Sequence, residues 1–76
     1  MNKKELINDL YGEGYFPTKK AAGECLEYML AKIGETIASG NEVRLGGFGK
    51  FEKYTRTNGK TTPKFRAYEA LKTTVG

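Results

Sequence analysis

Seven cations crowd the last third of this chain: Lys50, Lys53, Arg56, Lys60, Lys64, Arg66 and Lys72. Only Glu52 and Glu69 oppose them, so residues 50 to 76 carry 7 − 2 = +5. Residues 1 to 49 hold six basic and seven acidic side chains, a net of −1. A polyanion such as nucleic acid suits so lopsided a distribution, because Lys and Arg pair with phosphates. A sheet edge studded with Lys, kept soluble and unpaired, suits it as well. Charge alone leaves both readings open.

The other reactive residues do not assemble into a catalytic set. There is no His among the 76 residues, hence no triad and no plausible zinc site. Cys25, the lone cysteine, falls on the apolar stripe of a helix, the place of a core thiol rather than a nucleophile, and has no partner in the chain for a disulfide. Gly46-Gly47-Phe48-Gly49 lacks the Lys-Ser/Thr of a phosphate loop, and its glycines read as turn formers. Glu24, Glu27 and Glu35 lie on the polar face of a helix and are expected to face water. The residues describe a binding protein without catalysis, metal or cofactor.

The elements that must position the cations follow from the apolar spacing. Asn2 caps a helix with Leu6, Ile7, Leu10 and Tyr11 on one face, broken at Gly12-Glu13-Gly14. Thr18 opens a second helix in which Ala22, Cys25, Leu26, Met29, Leu30, Ile33 and Ile37 recur at spacings of three and four until Gly40 stops it. The period then changes to two. Val43 and Leu45 alternate with charged neighbours, Gly46 to Gly49 turn, and Phe51 and Tyr54 to Thr57 continue as strand. Asn58-Gly59 signals a two-residue hairpin turn with positive φ at both positions. A third strand returns from Lys60 through Phe65, its pairing weakened by Pro63. Residues 67 to 76 form a last helix with Leu71 and Val75 inward, and Arg66 leads into it.

This is an α+β chain in the order α-α-β-β-β-α, read as one domain. A helical hairpin spans residues 1–40, a β layer 41–66 and a C-terminal helix 67–76. The opening MNKKELINDLYGEGY has no apolar stretch of signal-peptide length, and no run approaches a membrane span, so a soluble, cytoplasmic protein with no membrane partner is expected.

A chain of this size buries only about 60% of its unfolded surface. Three strands with one sizeable helix behind them leave Phe48, Phe51 and Phe65 uncovered. Burying each contributes roughly 1.5 to 3 kcal/mol, so the three together are comparable with the stability of a small domain. A two-fold dimer would cover them, with Leu26, Met29, Leu30 and Leu45 joining the interface, and would place two basic hairpins side by side.

The residues also resemble a known family. The opening Met1-Asn2-Lys3 with Glu5-Leu6-Ile7-Asn8 belongs to the likeness, as does the Lys19-Lys20-Ala21 helix start. So do the run Gly40-x-x-Val43-x-Leu45-x-Gly47-Phe48-Gly49-x-Phe51-Glu52 and the closing Pro63-x-Phe65-x-x-x-x-Ala70-Leu71-Lys72. In register over essentially the whole chain, these resemble the HU and integration host factor family of bacterial nucleoid proteins. The resemblance implies an intertwined homodimer with a helical base and a β saddle, associated with the nucleoid and binding duplex DNA. It also implies two long arms that wrap the minor groove and insert a proline near each tip, a property of those proteins.

Here the sequence departs. Only thirteen residues separate Phe51 from Phe65, the Asn-Pro of the arm tip is absent, and Pro63 aligns with the base of the returning strand. Wrapping and wedge insertion are therefore not expected. The saddle remains: Lys53, Arg56, Lys60 and Lys64 on the hairpin, Arg66 and Lys72 towards the last helix, and Lys3 at the first helix's start. These are expected to contact phosphates, which give affinity but little sequence information. Glu69, where relatives usually present Lys, lowers that affinity. A second function fits the same residues: mixed dimers with a full-length HU-type protein, blunting its bending, or a structural part of a larger assembly.

Overall fold

The computed structural model of the protein describes residues Met1 to Gly76. They group into two compact units, Met1–Lys32 and Ile33–Gly76, with the boundary inside the second helix. Three helices and a three-stranded antiparallel sheet give the expected α+β order.

In the first unit, α1 spans Lys3–Gly12. Asn2 is extended, and its Oδ1 accepts the Glu5 N–H at 2.8 Å, satisfying one of the amides that a helix start leaves unpaired. Glu5 in the first turn also suits the helix dipole. Leu6, Ile7 and Leu10 are half-buried, whereas Tyr11, expected beside them, is exposed. The helix α2 spans Lys19–Ala38. Thr18 caps it, its Oγ1 accepting the Ala21 N–H at 3.0 Å. Ala22 and Leu26 are the only buried large or small hydrophobic side chains of the chain, at 0% and 6% exposure. Leu26 thus belongs to the chain's own core, while Met29 and Leu30, one turn on, stand 52% and 48% exposed.

In the second unit, α2 closes with a Schellman pair of bonds, Asn41 N–H to the Thr36 carbonyl at 3.1 Å and Gly40 N–H to the Ile37 carbonyl at 2.9 Å. The strands are β1, Val43–Leu45, β2, Gly49–Thr55, and β3, Thr61–Ala67, in the spatial order β1-β2-β3. Leu45 faces Gly49 and Val43 faces Phe51 across the first pair. Gly49 faces Ala67 and Thr55 faces Thr61 across the second. The short helix α3, Glu69–Val75, follows.

Four expectations need correction. The hairpin loop has three residues, Thr57, Asn58 and Gly59, because Arg56 N–H bonds the Lys60 carbonyl at 2.7 Å and Gly59 N–H bonds the Arg56 carbonyl at 2.9 Å. Only Gly59 has positive φ, +85°; Asn58 instead turns its Oδ1 to accept the Lys60 N–H at 3.0 Å. This is the turn-plus-bulge hairpin, which needs one left-handed residue and not two. Accordingly β2 stops at Thr55, two residues earlier than expected.

Pro63 does not weaken the ladder. The bonds Arg56 N–H to Lys60 O and Tyr68 N–H to Phe48 O fix which facing pairs exchange hydrogen bonds. Counting in steps of two along the register puts Lys53–Pro63 at a non-bonded pair, where the residue's nitrogen points away from β2. On an edge strand that costs nothing. Third, β3 runs on to Ala67, so Arg66 is a strand residue opposite Lys50 and α3 begins two residues later than expected. Finally, Val75 is 81% exposed, not inward; Leu71 alone is half-buried.

Alternation divides the sheet into two unlike faces. One carries Val43, Leu45, Phe51, Phe65 and Ala67, with Gly49 between them. The Phe65 ring lies 4.8 Å from that of Phe51 and 5.4 Å from that of Phe48. It also lies over Gly49, where a Cβ would come to 2.5 Å from the ring and 2.7 Å from the Arg66 carbonyl oxygen. No side chain fits there. Yet Phe65 is 41% exposed, Phe48 44% and Leu45 38%. The aromatic cluster is assembled but not covered.

Candidate nucleic-acid interface

The opposite face of the sheet carries Arg44, Lys50, Glu52, Tyr54, Thr62, Lys64 and Arg66, as the register dictates, and the Arg56–Lys60 pair, hydrogen-bonded just beyond the strand ends, continues it, six cations against one carboxylate in all. A strand places every second side chain on one side, so basic residues at even positions of β2 and β3 segregate from the phenylalanines at odd ones. The sequence-predicted set is divided by the same rule. Arg56, Lys60, Lys64 and Arg66 are brought together and exposed. Lys53 is not with them. It stands opposite Pro63 on the apolar face, and with Gly34, Ile37, Ala38, Thr61 and Pro63 it lines a groove of about 260 Å³.

Lys3 and Lys72 belong to helices. Lys3 pairs with Glu27 at 2.5 Å, both exposed, in the first unit. Lys72 lies in the last turn of α3, where a cation suits the helix dipole. Glu69 occupies the first turn of that helix, exposed.

The base and the tip of the basic face differ electrostatically. At the base, Glu42 takes both Nε and Nη2 of Arg44, at 2.9 and 2.8 Å, and Lys50 lies 3.6 Å from Glu42 and 3.3 Å from Glu52. The hydrogen bond from Arg44 holds the Glu42 carboxyl below its ordinary value; desolvation works the other way, and the charge of Lys50 adds to the lowering. Reciprocally, the Glu42 carboxylate raises Arg44 further. Glu42 therefore lends stability only above the carboxylate range, and loses it as pH falls through its lowered value. Arg44 and Lys50, two of the three cations at the base, are thus already answered by carboxylates, whereas Arg66, opposite Lys50, is exposed. Sequence reasoning passed over Arg44 and Lys50 as site residues, and the carboxylates explain why they are held in reserve.

At the tip the one carboxylate is Glu52, opposite Lys64 at the root of the projection, and none stands beside Arg56 or Lys60. Residues Glu52 to Thr55 and Thr61 to Lys64 extend past the part of the sheet that β1 covers, since β1 pairs only with Gly49 to Phe51. Four residues at about 3.3 Å each project roughly 13 Å, close to the ~12 Å width of one major groove and far short of a path around a duplex. Arg56, Lys60 and Lys64 crowd this projection, and the Lys64 ammonium stands 4.8 Å from the centre of the Tyr54 ring. Exposed cations in two antiparallel rows suit phosphates along a backbone.

One prediction arises directly. Glu42→Gln with Glu52→Gln should tighten binding to duplex DNA and steepen its salt dependence by up to about two units per protomer, because each released cation adds roughly 0.9 to the slope. Surface ion pairs contribute little to stability, so the fold should be unaffected. Fluorescence anisotropy across a salt series reads both quantities, and unchanged slope and affinity would show that Arg44 and Lys50 do not meet DNA.

Comparison with known proteins agrees with this geometry. The family model described as bacterial DNA-binding protein matches residues 1–62. The chain is 38% identical to DNA-binding protein HU-beta of Escherichia coli strain K12, covering 99% of each, and 36% identical to DNA-binding protein HU-1 of Halalkalibacterium halodurans over the same shares. The first alignment runs over 90 positions, so at least 90 − 76 = 14 positions of that relative have no residue here. Among solved structures, HU from Thermotoga maritima superposes with a TM-score of 0.82 at 37% identity, covering all of both chains. An Anabaena HU solved as a cocrystal with DNA gives 0.81 at 31% identity, covering 99% and 97%. A match over most of the length in sequence and fold, on a sheet with one basic and one aromatic face, makes this chain a member of the bacterial DNA-binding protein family, of the HU type.

Proposed function

We propose that this HU-type chain binds duplex DNA architecturally and without sequence preference, as a two-fold dimer that presents two short basic hairpins on one saddle. The observation that carries the reading is the division of the sheet. Arg56, Lys60 and Lys64 project on one face, while Phe48, Phe51 and Phe65 stand incompletely covered on the apolar side. In this reading residues 1–76 act as one domain, Met29, Leu30, Leu45 and the three phenylalanines meet their copies, and Leu26 supports them from within its own chain. In this reading the unmatched positions of the E. coli relative belong to the hairpin tip, where the three-residue loop closes the strands early. Minor-groove wrapping and proline insertion are then lost, and phosphate contact supplies the affinity. No helix is long and apolar enough to cross a membrane; the nucleoid is the place this reading gives the protein.

Three tip cations per protomer make six phosphate contacts per dimer, so log K against log salt should fall with a slope near −0.9 × 6, about −5. Gel shifts with intact, nicked and cruciform duplexes at low salt test the reading, and absence of any complex would end it.

The unfilled alignment positions favour one further reading. A chain that keeps the apolar set and shortens the arm can form mixed dimers with a full-length HU-type protein. Co-expression followed by native mass spectrometry decides it: only homodimers beside an abundant armed relative would remove it.

A further inference from the structure

Asn58-Gly59 marks a turn, but the pair also carries a reaction for which no other asparagine of the chain is set up. Asn2, Asn8 and Asn41 precede Lys, Asp and Glu, whereas Asn58 precedes glycine. A side chain on the following residue hinders ring closure between an asparagine carboxamide and that residue's nitrogen, and glycine has none. Nothing in the fold replaces the missing hindrance. The space where a Gly59 Cβ would stand is empty to 4 Å, and Thr57, Asn58 and Gly59 are all exposed to water.

We propose that Asn58 is a site of spontaneous deamidation, and that the carboxylate it leaves at the hairpin tip weakens the grip on duplex DNA. The Gly59 backbone nitrogen gives its proton to hydroxide and bonds to Asn58 Cγ. The bond from Cγ to Nδ2 breaks, and the departing nitrogen takes a proton from water and leaves as ammonia. The product is a cyclic succinimide. Water then opens either carbonyl of that ring, giving aspartate or isoaspartate at position 58. Water is the only co-reactant.

Two bonds restrain the reaction while the loop is closed: Gly59 N–H donates to the Arg56 carbonyl at 2.9 Å, and Lys60 N–H donates to Asn58 Oδ1 at 3.0 Å. It therefore runs through openings of the tip, which lies past the last residue that β1 pairs with and is the part of the sheet least held by neighbours. Arg56 and Lys60, flanking the loop, favour the anionic nitrogen that attacks, because positive charge stabilises it. The same two cations then feel the product. A carboxylate between them can answer them as Glu42 answers Arg44 at the base. Isoaspartate also adds a backbone carbon, so the loop loses its three-residue register. The effect on binding rests on the DNA-binding reading above; the chemistry does not.

The test ages the purified protein in buffer at neutral and at mildly alkaline pH. Peptide mapping by mass spectrometry should find NH2 exchanged for OH at Asn58 and not at Asn2, Asn8 or Asn41. The exchange should be faster at the higher pH, where the attacking nitrogen loses its proton more readily, and enzymatic methylation specific for isoaspartate should label the aged chain. Asn58→Ser, which has no carboxamide, should accumulate neither signal. Asn58→Asp keeps the Oδ1 acceptor and adds the charge. It should bind intact duplex on the order of tenfold more weakly at about 0.1 M salt, with a salt slope shallower by about two units per dimer, as one phosphate contact per protomer is lost. Aged wild type should shift in the same direction.

An unmodified Asn58 after ageing, or equal modification at the other asparagines, would overturn the site. Undiminished affinity in Asn58→Asp would overturn its effect on binding. Fresh wild type that binds no duplex removes the DNA-binding reading and with it that effect, while the mass measurement still decides the reaction.

Discussion

Phe65→Ala should leave the protein monomeric and largely unfolded at micromolar concentration. Removing a well-buried phenylalanine costs about 3 to 5 kcal/mol, and in a two-fold dimer the loss occurs twice. A chain of this length has a total stability on the order of 4 to 11 kcal/mol, so the doubled loss consumes most of it. Phe65 is also the ring that touches both Phe48 and Phe51 and covers Gly49, so its removal opens the whole cluster.

The size of the effect separates two accounts of the aromatic face. In an isolated chain Phe65 is 41% exposed, and its truncation should cost only about half the value for a buried ring. The midpoint of unfolding would then not depend on protein concentration. If the ring meets its copy in a partner, the full loss appears, and the wild-type midpoint rises with concentration because association and folding are linked. Urea titrations at several concentrations, with sedimentation on the same samples, read both. A modest, concentration-independent loss would refute the dimer and with it the paired hairpins.

Much of this was legible because it depends on local rules. Asn2, Thr18 and Gly40 mark helix ends by chemistry that acts within four residues, and each acts as read. The phenylalanine cluster followed from the change of period after Gly40. What escaped was whatever depends on register. Asn58-Gly59 admits two hairpin loops that differ by one residue, and the choice fixes whether Lys53 faces Lys64 or Pro63. Spacing along one strand shows that Lys53 and Arg56 lie on opposite faces only once the strand is known to run unbroken to its end. Pro63 misled for the same reason, since its cost depends on whether its nitrogen points into the ladder. The carboxylates on Arg44 and Lys50 were invisible too, because Glu42 lies outside the strands and its bonds depend on side-chain reach, not on periodicity.

Register gives the second large prediction. Arg56→Glu, Lys60→Glu and Lys64→Glu together change the charge of the projecting face by six per protomer and replace every tip phosphate contact by repulsion. No complex with duplex DNA should form even at low salt, since losing six contacts per dimer removes the term that supplies non-specific affinity. These residues are exposed and lie on the polar face, so sedimentation should still report the wild-type oligomer. Lys53→Glu is the informative control. It reverses a cation immediately before Tyr54 and three residues before Arg56 in sequence, but on the other side of the sheet. At physiological salt charges beyond about 8 Å are largely screened, so its affinity should stay within about threefold of wild type. Composition counts Lys53 and Arg56 as equivalent; the pleat does not. Should Lys53→Glu weaken binding as severely as the triple reversal, DNA must meet the opposite face of the hairpin, and the assignment of the interface would have to be inverted.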